Sequence, residues 1–560
     1  MVSQLPGLRR PTTPRTRRRR IGILDLVTKN SRPSLYGRIM NPNLASIMPQ
    51  VLAVWCEEAG HEVRYVCYTG TENLLAELPL DLDILFIGAF TEAAQLAYAL
   101  SNLFRQRGAI TALGGPHARC YPEDAQQYFD YVLGFTDRAV VDDVLHECAP
   151  HRPMGRSVAA ARQPAELPSL AARWKFVEAT LAKAPTIRFV PMIGSLGCPY
   201  TCSFCIDSTV DYQPLGFDAL SEDLRFLLSR EPKPIVAWHD PNFGVRFDDY
   251  MDAIEAAVPP GRMRHIAESS LSLLSEPHLQ RMARNGFQAL LPGIESWFAL
   301  GNKSKTRHTG MEKVVQVAEH VNLILRYVPY VQTNFVLGLD SDEGPEPFEL
   351  TKRFLDLAPG AFPAYSLLSA FGRAAPMNLE YQRVGRVLPF PFTFLNNNHS
   401  MNVRPANYGW PEFYDHLVDL TSYSFSWRAI RRRLGATPGM IPRWMNVVRA
   451  MSSEGWGRIK YHATIRRLLD SDPTVRWFLE GEVSELPAFY QARIKRDLGA
   501  LYQHLPSGSL MHDPNAYLKS EANGAGMAGG RSMTQLNGGR PKRRAPAASV
   551  EPGTQADIAH

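Results

Sequence analysis

The stretch Ser195–Cys205, SLGCPYTCSFC, contains three cysteines with the spacing C-x3-C-x2-C: Cys198, Cys202 and Cys205. Three thiolates this close can converge on one object if the loop wraps around it, as loops that bind iron-sulfur clusters do. A structural zinc would need a fourth nearby ligand, and no second C-x-x-C or histidine pair follows; a distant histidine leaves zinc as an alternative. A four-iron cluster with three protein ligands would keep one iron open.

The cysteine stretch directly follows an apolar run at residues 186–194 that predicts a strand. Five further strand patterns follow up to residue 371, and helical patterns fill the gaps between them. Six strands with intervening helices predict a (β/α)6 partial barrel, a shortened TIM barrel, in which chemistry takes place at the carboxyl ends of the strands. The three cysteines are therefore expected at the mouth of this barrel.

Short apolar runs also alternate with helical patterns from Ile21 onward, which predicts a doubly wound parallel sheet. Such sheets bind ligands outside the carboxyl ends of their strands. In this half of the chain those ends are predicted at Thr28, Gly88–Thr91, Gly114–His117 and Gly134–Asp137.

The fold class is thus predicted as α/β, with two sheet domains and a helical C-terminal region. The predicted boundaries are a disordered basic arm at 1–20, the first sheet domain at 21–148, a Pro, Ala and Arg-rich linker at 149–185, the barrel at 186–388, a helical domain at 389–513 and a disordered tail at 514–560. The tail has too few large apolar residues to offset its ordering entropy.

The formal charge of +6 comes from the arm, because seven arginines between positions 9 and 20 contribute +7. The remainder is close to neutral, so nucleic acid is not an expected partner of the folded body, while the arm is either a solvated tail or a contact for anionic lipid or nucleic acid. No apolar run reaches the roughly 18 residues of a membrane span, and no signal peptide is recognised. We expect a soluble cytoplasmic protein, with peripheral membrane contact left open.

The segment CPYTCSFC resembles the signature of the radical S-adenosylmethionine (SAM) superfamily, including the aromatic Phe204 before the last cysteine. The resemblance implies a [4Fe-4S] cluster on Cys198, Cys202 and Cys205 whose open iron is chelated by the amino and carboxylate groups of SAM. In that family the reduced cluster cleaves SAM to methionine and a 5′-deoxyadenosyl radical, which abstracts hydrogen from an unreactive carbon. An electron donor such as flavodoxin or ferredoxin is implied as a partner.

Three further stretches resemble the SAM-contacting motifs of the superfamily. LPGIES implies SAM contacts for Gly293, Glu295 and Ser296, NFVLGLDSDE for Gly338, and WHDPNF for Asp240; Phe204 is the remaining candidate. Each motif also has a structural interpretation, in which Glu295 forms a barrel salt bridge and Gly338 a turn.

The first sheet domain is similar to the cobalamin-binding domain that precedes many radical SAM barrels, on the strength of EEAGHEVRYV and ALGGPH. The resemblance implies a corrin-facing edge formed by Thr91, Gly114, Gly115, Pro116 and His117. Asp-x-His-x-x-Gly is absent, so cobalt would lack that lower histidine ligand, and GFTD stands where relatives often have Gly-Glu-Gly-Glu. The alternative is a sheet domain that has lost cobalamin.

Together these features predict a cobalamin-dependent radical SAM enzyme that methylates an unactivated carbon of a small-molecule or lipid-like substrate. The alternatives are a ring-forming or oxidative relative in tetrapyrrole, lipid or natural-product biosynthesis, and a non-catalytic iron-sulfur redox sensor. A methylthiotransferase would carry three clustered N-terminal cysteines, which the scattered Cys56, Cys67, Cys120 and Cys148 do not match. The aromatic and Arg-rich helices after Pro389 either cap the barrel over an apolar or anionic substrate or form a core with a solvated face.

Overall fold

A computed structural model of the chain describes residues 18–29, 31, 33–147, 154–298, 308–396, 398–516, 518 and 519. Most of the predicted arm and tail, as well as Cys148, lie outside these ranges. Two parallel sheets and a helical C-terminal region make up the described chain, so the prediction of an α/β protein with such a region is confirmed.

The first sheet has the strand order β2-β1-β3-β4-β5-β6, and all its neighbours are parallel. Leu26 pairs with Ala89 and Gly88 pairs with Gly114, so three strands end at one edge. The strands are β1 Arg20–Leu26, β2 Glu62–Tyr68, β3 Ile84–Ala89, β4 Ile110–Gly114, β5 Tyr131–Leu133 and β6 Arg156–Val158. The helices are α1 Leu35–Met40, α2 Ile47–Glu58, α3 Leu74–Glu77, α4 Ala94–Gln106, α5 Pro116–Cys120, α6 Pro122–Ala125 and α7 Arg138–Glu147.

Apolar side chains on both faces of this sheet are buried, because helices cover both. Ile23 and Phe86 belong to one core cluster with residues of α2 and α7, whereas Leu24 and Ile87 belong to a second cluster with residues of α4. Continuous burial along a strand is the reason why these strands read as unbroken apolar runs.

The sheet continues into the segment predicted as a linker. β6 pairs with β5 through Tyr131 opposite Arg156, and the helix α8 Leu170–Leu181 follows. A three-residue strand is too short to give a periodic pattern, which explains why the sequence did not reveal it.

Six parallel strands of the second sheet neighbour one another in the order in which they occur along the chain. Its neighbours run β7, β10, β11, β12, β14 and β15, and β13 also pairs with β14 after a break at Leu291–Pro292. Its strands are β7 Phe189–Met192, β10 Ile235–Trp238, β11 Arg264–Ala267, β12 Phe287–Leu290, β13 Gly293–Glu295, β14 Tyr330–Leu337 and β15 Phe362–Leu367. A separate antiparallel pair is formed by β8 Ser195–Leu196 and β9 Gln213–Pro214. The intervening helices are α9 Phe217–Arg230, α10 Phe247–Ala257, α11 Glu276–Arg284, α12 Gly310–Tyr327 and α13 Glu346–Leu357.

Burial alternates along β10, β11 and β14. The buried residues include Trp238, whose ring packs against Tyr250 of α10 at 5.8 Å between centroids. The half-buried residues, such as Ile266 and Gln332, line a cavity. One face of the second sheet is therefore packed on helices, and the other borders open space.

The helical region comprises α14 Pro376–Arg383, α15 Trp410–Ser424, α16 Trp427–Ala436, α17 Met440–Met451, α18 Trp456–Ser471, α19 Pro473–Glu480 and α20 Ala488–Leu498. The chain after α20 returns to the first sheet domain: Asn102 Nδ2 donates to the His504 carbonyl (2.8 Å), and the His512 ring packs against Tyr121 at 5.3 Å between centroids. None of the helices in the described ranges combines the length and the hydrophobicity of a membrane span.

Candidate functional site

The three cysteines lie on a loop that a short antiparallel pair, β8 and β9, closes at its base. Gly197 has φ +69°, and a Cβ there would stand 2.3 Å from the Asp211 carbonyl oxygen, so only glycine allows the two sides of the loop to meet. Cys198 is buried, whereas Cys202 and Cys205 are half-buried, and the Cys205 N–H donates to the Cys202 carbonyl (3.0 Å). The loop follows β7 and therefore lies at the carboxyl edge of the second sheet.

Asp240 holds the start of the cysteine loop in place through hydrogen bonds. Its buried carboxylate accepts hydrogen bonds from the Ser195 hydroxyl (2.7 Å), the Gly194 N–H (3.2 Å) and the Tyr250 hydroxyl. Burial raises the pKa of Asp240, and these hydrogen bonds oppose that effect. The carboxylate predicted to contact SAM is thus committed to the polypeptide, where it positions the first residues of the cysteine loop.

Arg119 of α5 ties the cysteine loop to the first sheet domain. It donates to the Ile206 carbonyl (2.8 Å) and forms an ion pair with Asp207 (3.1 Å), directly after the last cysteine. The same guanidinium lies over the Phe135 ring, 5.2 Å from its centroid. The sequence reading missed this arginine, although it stands two residues after the quoted GGPH.

The donor set of the loop suits a cluster better than a single ion. In the described part of the chain, no three His, Cys, Asp or Glu side chains are grouped so that they could hold one metal ion. A four-iron cluster differs, because each thiolate binds a different iron and the three sulfurs stand apart. Three cysteines on one closed loop, with one of them buried, fit that requirement.

The strand β13 brings Gly293, Glu295 and Ser296 to the same carboxyl edge. Glu295 has φ +66°, a left-handed conformation that a non-glycine residue adopts only under strain, and such residues are concentrated at functional sites. Its side chain folds back over Gly293, where a Cβ would lie 2.2 Å from Glu295 Oε1. The buried Lys313 ammonium donates to the Ser296 carbonyl (2.6 Å) and so fixes this turn.

Gly338 directly follows β14 at the same edge and has φ +84°. Its N–H donates to Asp342 (3.0 Å), and a Cβ there would meet Met401 and Phe413 at 3.0 and 3.1 Å. The glycine therefore permits close packing of the helical region on this turn. Phe204, the remaining residue predicted to contact SAM, is half-buried and packs against the main core.

A mostly apolar cavity of about 580 Å³ lies outside the carboxyl edge of the first sheet. The ends of β3, β4 and β5 form one wall, and Ile193 and His239, from the ends of β7 and β10, form part of the opposite wall. Of the predicted corrin-facing residues, Gly114, Gly115 and Pro116 line this cavity. Gly134–Thr136, whose role the sequence put in doubt, line it as well.

The glycines of this cavity fit a bulky planar ligand. A Cβ on Gly114 would have no atom within 4 Å and would project into open space, while a Cβ on Gly115, at φ +89°, would stand 2.9 Å from the Ala89 carbonyl oxygen. Bare backbone at these positions lets a large ring approach the sheet edge closely. The cavity can therefore hold the corrin face that the sequence predicts there.

Thr91 and His117 do not line this cavity, in contrast to their predicted role. His117 is fully buried, its Nε2 pairs with the Tyr98 hydroxyl (2.7 Å), and its ring packs on Phe392. Burial lowers the pKa of His117 to about 3, so it is neutral. The helix that starts at Pro116 turns this side chain into the core, which the sequence alone did not indicate.

His239 is a second residue that the sequence reading missed, although it lies within the quoted WHDPNF. It follows β10, lines the apolar cavity from the barrel side and immediately precedes the loop-supporting Asp240. Burial and Arg173 lower the pKa of His239 to about 4, so the imidazole is neutral.

A larger cavity of about 980 Å³ adjoins the first one. The segment after β1, the half-buried face of the second sheet and the helical region all contribute to its lining. Val27, Leu44 and Glu92 line both cavities, so the two meet at these residues. The class that these features define is an α/β protein of two parallel sheets, with a three-cysteine loop near a glycine-lined cavity.

Comparisons with known proteins agree with that class. No protein-family model matches the chain. It is 23% identical over 363 residues to the bacteriochlorophyllide d C-12(1)-methyltransferase of Chlorobaculum tepidum, covering 64% of this chain and 77% of the relative. It is 29% identical over 136 residues to the bacteriochlorophyllide d C-8(2)-methyltransferase of the same organism, covering 22% and 28%.

Among solved structures, the fold is similar to the cobalamin-dependent S-adenosylmethionine radical enzyme OxsB with aqua-cobalamin bound. The TM-score is 0.51 at 12% identity, and the match covers 91% of this chain and 84% of that one. The match shows that this chain shares the overall fold of that enzyme, as the predicted order of two sheet domains and a helical region requires.

Proposed function

We propose that this chain is a cobalamin-dependent radical SAM methyltransferase that adds a methyl group to an unactivated carbon of a small molecule. One observation carries the proposal: Arg119 joins the cysteine loop to a helix whose first residue, Pro116, lines the glycine-lined cavity. A cluster on the loop and a corrin in the cavity would thus be held by one rigid connection. The curated relatives, which are methyltransferases, support the same reaction type.

When bound, the cluster with SAM supplies a carbon-centred radical, and cobalamin supplies the methyl group. The chain itself supplies position and exclusion of water. Cys198, Cys202 and Cys205 would hold the cluster, and Asp240 fixes the start of their loop through Gly194 and Ser195. Glu295, Ser296 and Gly338 would flank SAM, since all three stand at the same carboxyl edge.

Gly114, Gly115 and Pro116 would carry the corrin, and the neutral imidazole of His239 would face it from the opposite wall. Ile193 and the apolar residues of the wall exclude water from that face. A ring-forming or oxidative relative and a redox sensor are less favoured, because the curated relatives transfer methyl groups.

The finer architecture forms part of the proposal. We assign the second sheet to a (β/α)6 partial barrel at 186–388, preceded by the cobalamin-binding domain at 21–148 and followed by a helical domain at 389–513. We place the arm at 1–20 and the tail at 514–560 outside these domains, whereas the segment 149–185, predicted as a linker, adds β6 to the first sheet. A flavodoxin or ferredoxin in the cytoplasm would deliver the electron that SAM cleavage needs.

The test is anaerobic reconstitution with iron, sulfide and cobalamin, followed by measurement of 5′-deoxyadenosine formed from SAM. We expect 5′-deoxyadenosine from the wild-type protein and from Cys56→Ala, and none from Cys198→Ala. Cys56 is a matched control because it is buried in α2, where burial raises the pKa of its thiol to about 12. A wild-type protein that binds the cluster but leaves SAM intact would support the redox-sensor alternative instead.

A further inference from the structure

The larger cavity carries an excess of positive charge. Seven cationic side chains but only four carboxylates line it. Lys29 lies 3.6 Å from Glu92, Arg449 pairs with Glu454, and Arg496 pairs with Asp497, so these pairs largely cancel. Arg264 and Arg493 make no ion pair and no side-chain hydrogen bond with any residue in the described ranges. Arg188 and Lys233 also make none there, and Glu231 is the lining carboxylate left over, so the lining keeps an excess of positive charge.

Arg493 is held in place without a carboxylate. Its guanidinium lies 4.8 Å from the centroid of the Tyr461 ring and 5.7 Å from that of Phe489. Its Nε is buried and donates no hydrogen bond. Rings that flank a guanidinium keep it oriented, so little conformational entropy is lost when it pairs with an anion. A buried donor without a partner is unfavourable until a ligand satisfies it.

Other cations gather near the same end of the cavity. The buried Lys29 ammonium donates to the Thr393 carbonyl, and Arg458 donates to Asn398 Oδ1 (2.6 Å). Burial, and then the charges of Lys29, Arg458 and Arg493, hold the pKa of His399 well below its ordinary value. This end of the cavity therefore has a positive potential that favours an anionic group.

The rest of the lining is largely apolar. Phe189, Ile235 and Ile266 contribute from the second sheet, and Phe394 and Met445 from the helical region. A cavity of this size accommodates a drug-sized or larger molecule. The lining is thus suited to a molecule with an apolar body and one charged end.

We propose that this cavity binds the methyl acceptor, and that the acceptor is an apolar molecule with a carboxylate that pairs with Arg493. This inference rests on the proposed function, because only a methyltransferase needs a methyl acceptor. The larger cavity meets the smaller one, proposed to hold cobalamin, at Val27, Leu44 and Glu92. A carboxylate suits the planar fork of Arg493, with which it can form two parallel hydrogen bonds. The carboxylate end fixes the orientation of the apolar body in the cavity.

The test uses 1-pyrenebutyrate and 1-pyrenebutanol, which share an apolar body and differ in charge. Their affinities for the cluster- and cobalamin-loaded protein are measured by equilibrium dialysis, so that cobalamin already fills the smaller cavity. We expect the wild-type protein to bind one pyrenebutyrate per chain at least tenfold more tightly than pyrenebutanol. Arg493→Met should reduce this preference to below threefold, whereas Arg493→Lys, which keeps the charge but loses the planar fork, should retain only part of it.

Arg467→Met provides a matched control, because Arg467 is exposed on α18 and does not line the cavity. Lys29→Met gives a second variant in case Arg493→Met alters folding. Equal affinity for the two probes, no binding of either, or a preference that survives both Arg493→Met and Lys29→Met would overturn the inference. SAM cleavage by the same wild-type preparation tests the proposed function separately, so the two failures can be told apart.

Discussion

The two cavities of this protein adjoin each other but are built in different ways. One wall of the smaller one is formed by strand ends, where Gly88, Gly114 and Gly115 lie on one sheet edge. The larger one draws its charged groups from positions as far apart as Lys29 and Asp497. A cavity formed by strand ends can be recognised from local sequence, whereas one assembled from distant segments is visible only in the folded chain.

The cysteine loop should show the largest effect of any substitution. Replacing Cys198, Cys202 and Cys205 by alanine removes every protein ligand of the cluster, and we expect SAM cleavage to fall by more than about a thousandfold, or about 4 kcal/mol in the barrier. Iron content and 5′-deoxyadenosine formation are the measurements. The control Cys56→Ala should keep both, and a triple variant that retained four irons per chain would contradict the assignment.

A substitution at Gly115 should weaken ligand binding in the smaller cavity and leave binding in the larger one nearly unchanged. Gly115→Ala places a Cβ 2.9 Å from the Ala89 carbonyl oxygen, so the cavity wall must shift. We expect cobalamin affinity to fall by up to about a hundredfold, the equivalent of about 1–3 kcal/mol of overpacking. Absorption spectra during a cobalamin titration measure the change, and pyrenebutyrate binding should change much less.

Gly108→Ala is the matched control for this experiment. Gly108 has φ +91°, close to that of Gly115, but a Cβ there would meet no atom within 4 Å. Both variants should lose about 1–2 kcal/mol of stability from left-handed backbone strain, and only Gly115→Ala should lose cobalamin. Equal cobalamin affinities in the two variants would show that the sheet edge is not the binding surface.

Asp240 tests whether the barrel positions the cysteine loop. Asp240→Asn keeps the shape but weakens the acceptor for Gly194, Ser195 and Tyr250, so we expect the loop to lose about 1–3 kcal/mol of stability. Cluster loss on exposure to a chelator should be about tenfold faster. Asp211 is an exposed residue of the same loop, so Asp211→Asn should behave like the wild type. A cluster that is equally stable in Asp240→Asn and Asp211→Asn would contradict the supporting role of Asp240.

The chain ends should have the smallest effect. A chain limited to residues 18–519 keeps every contact described above, and we expect its SAM cleavage to stay within about twofold of the full chain. A chain that stops at His504 instead loses His512, which stacks on Phe392, and should unfold at lower urea concentration. Equal stability of the two shortened chains would mean that this returning segment contributes little to the fold.

Much of this organisation could be predicted from the sequence because it is local. The alternation of apolar runs predicted both sheets, and the spacing of Cys198, Cys202 and Cys205 predicted a cluster loop. The GGPH stretch pointed to the sheet edge, and Gly114–Pro116 line its cavity.

The remainder depends on tertiary structure. His117 points into the core because of the helix that begins at Pro116, and Asp240 turns toward the loop because Tyr250 and Ser195 stand beside it. The pairing of Arg119 with Asp207 and the uncompensated charge of Arg493 bring together residues far apart in the chain. No periodicity or motif records such contacts.

The most direct test of the two assigned cavities is a structure of the anaerobic protein loaded with its cluster, cobalamin and SAM. We expect the corrin ring against Gly114, Gly115 and Pro116 with His239 on its opposite side, SAM at the cluster near Glu295 and Ser296, and no part of the corrin between Arg264 and Arg493. A corrin bound in the larger cavity, or SAM bound away from the cysteine loop, would contradict the division of the protein into a cofactor cavity and an acceptor cavity.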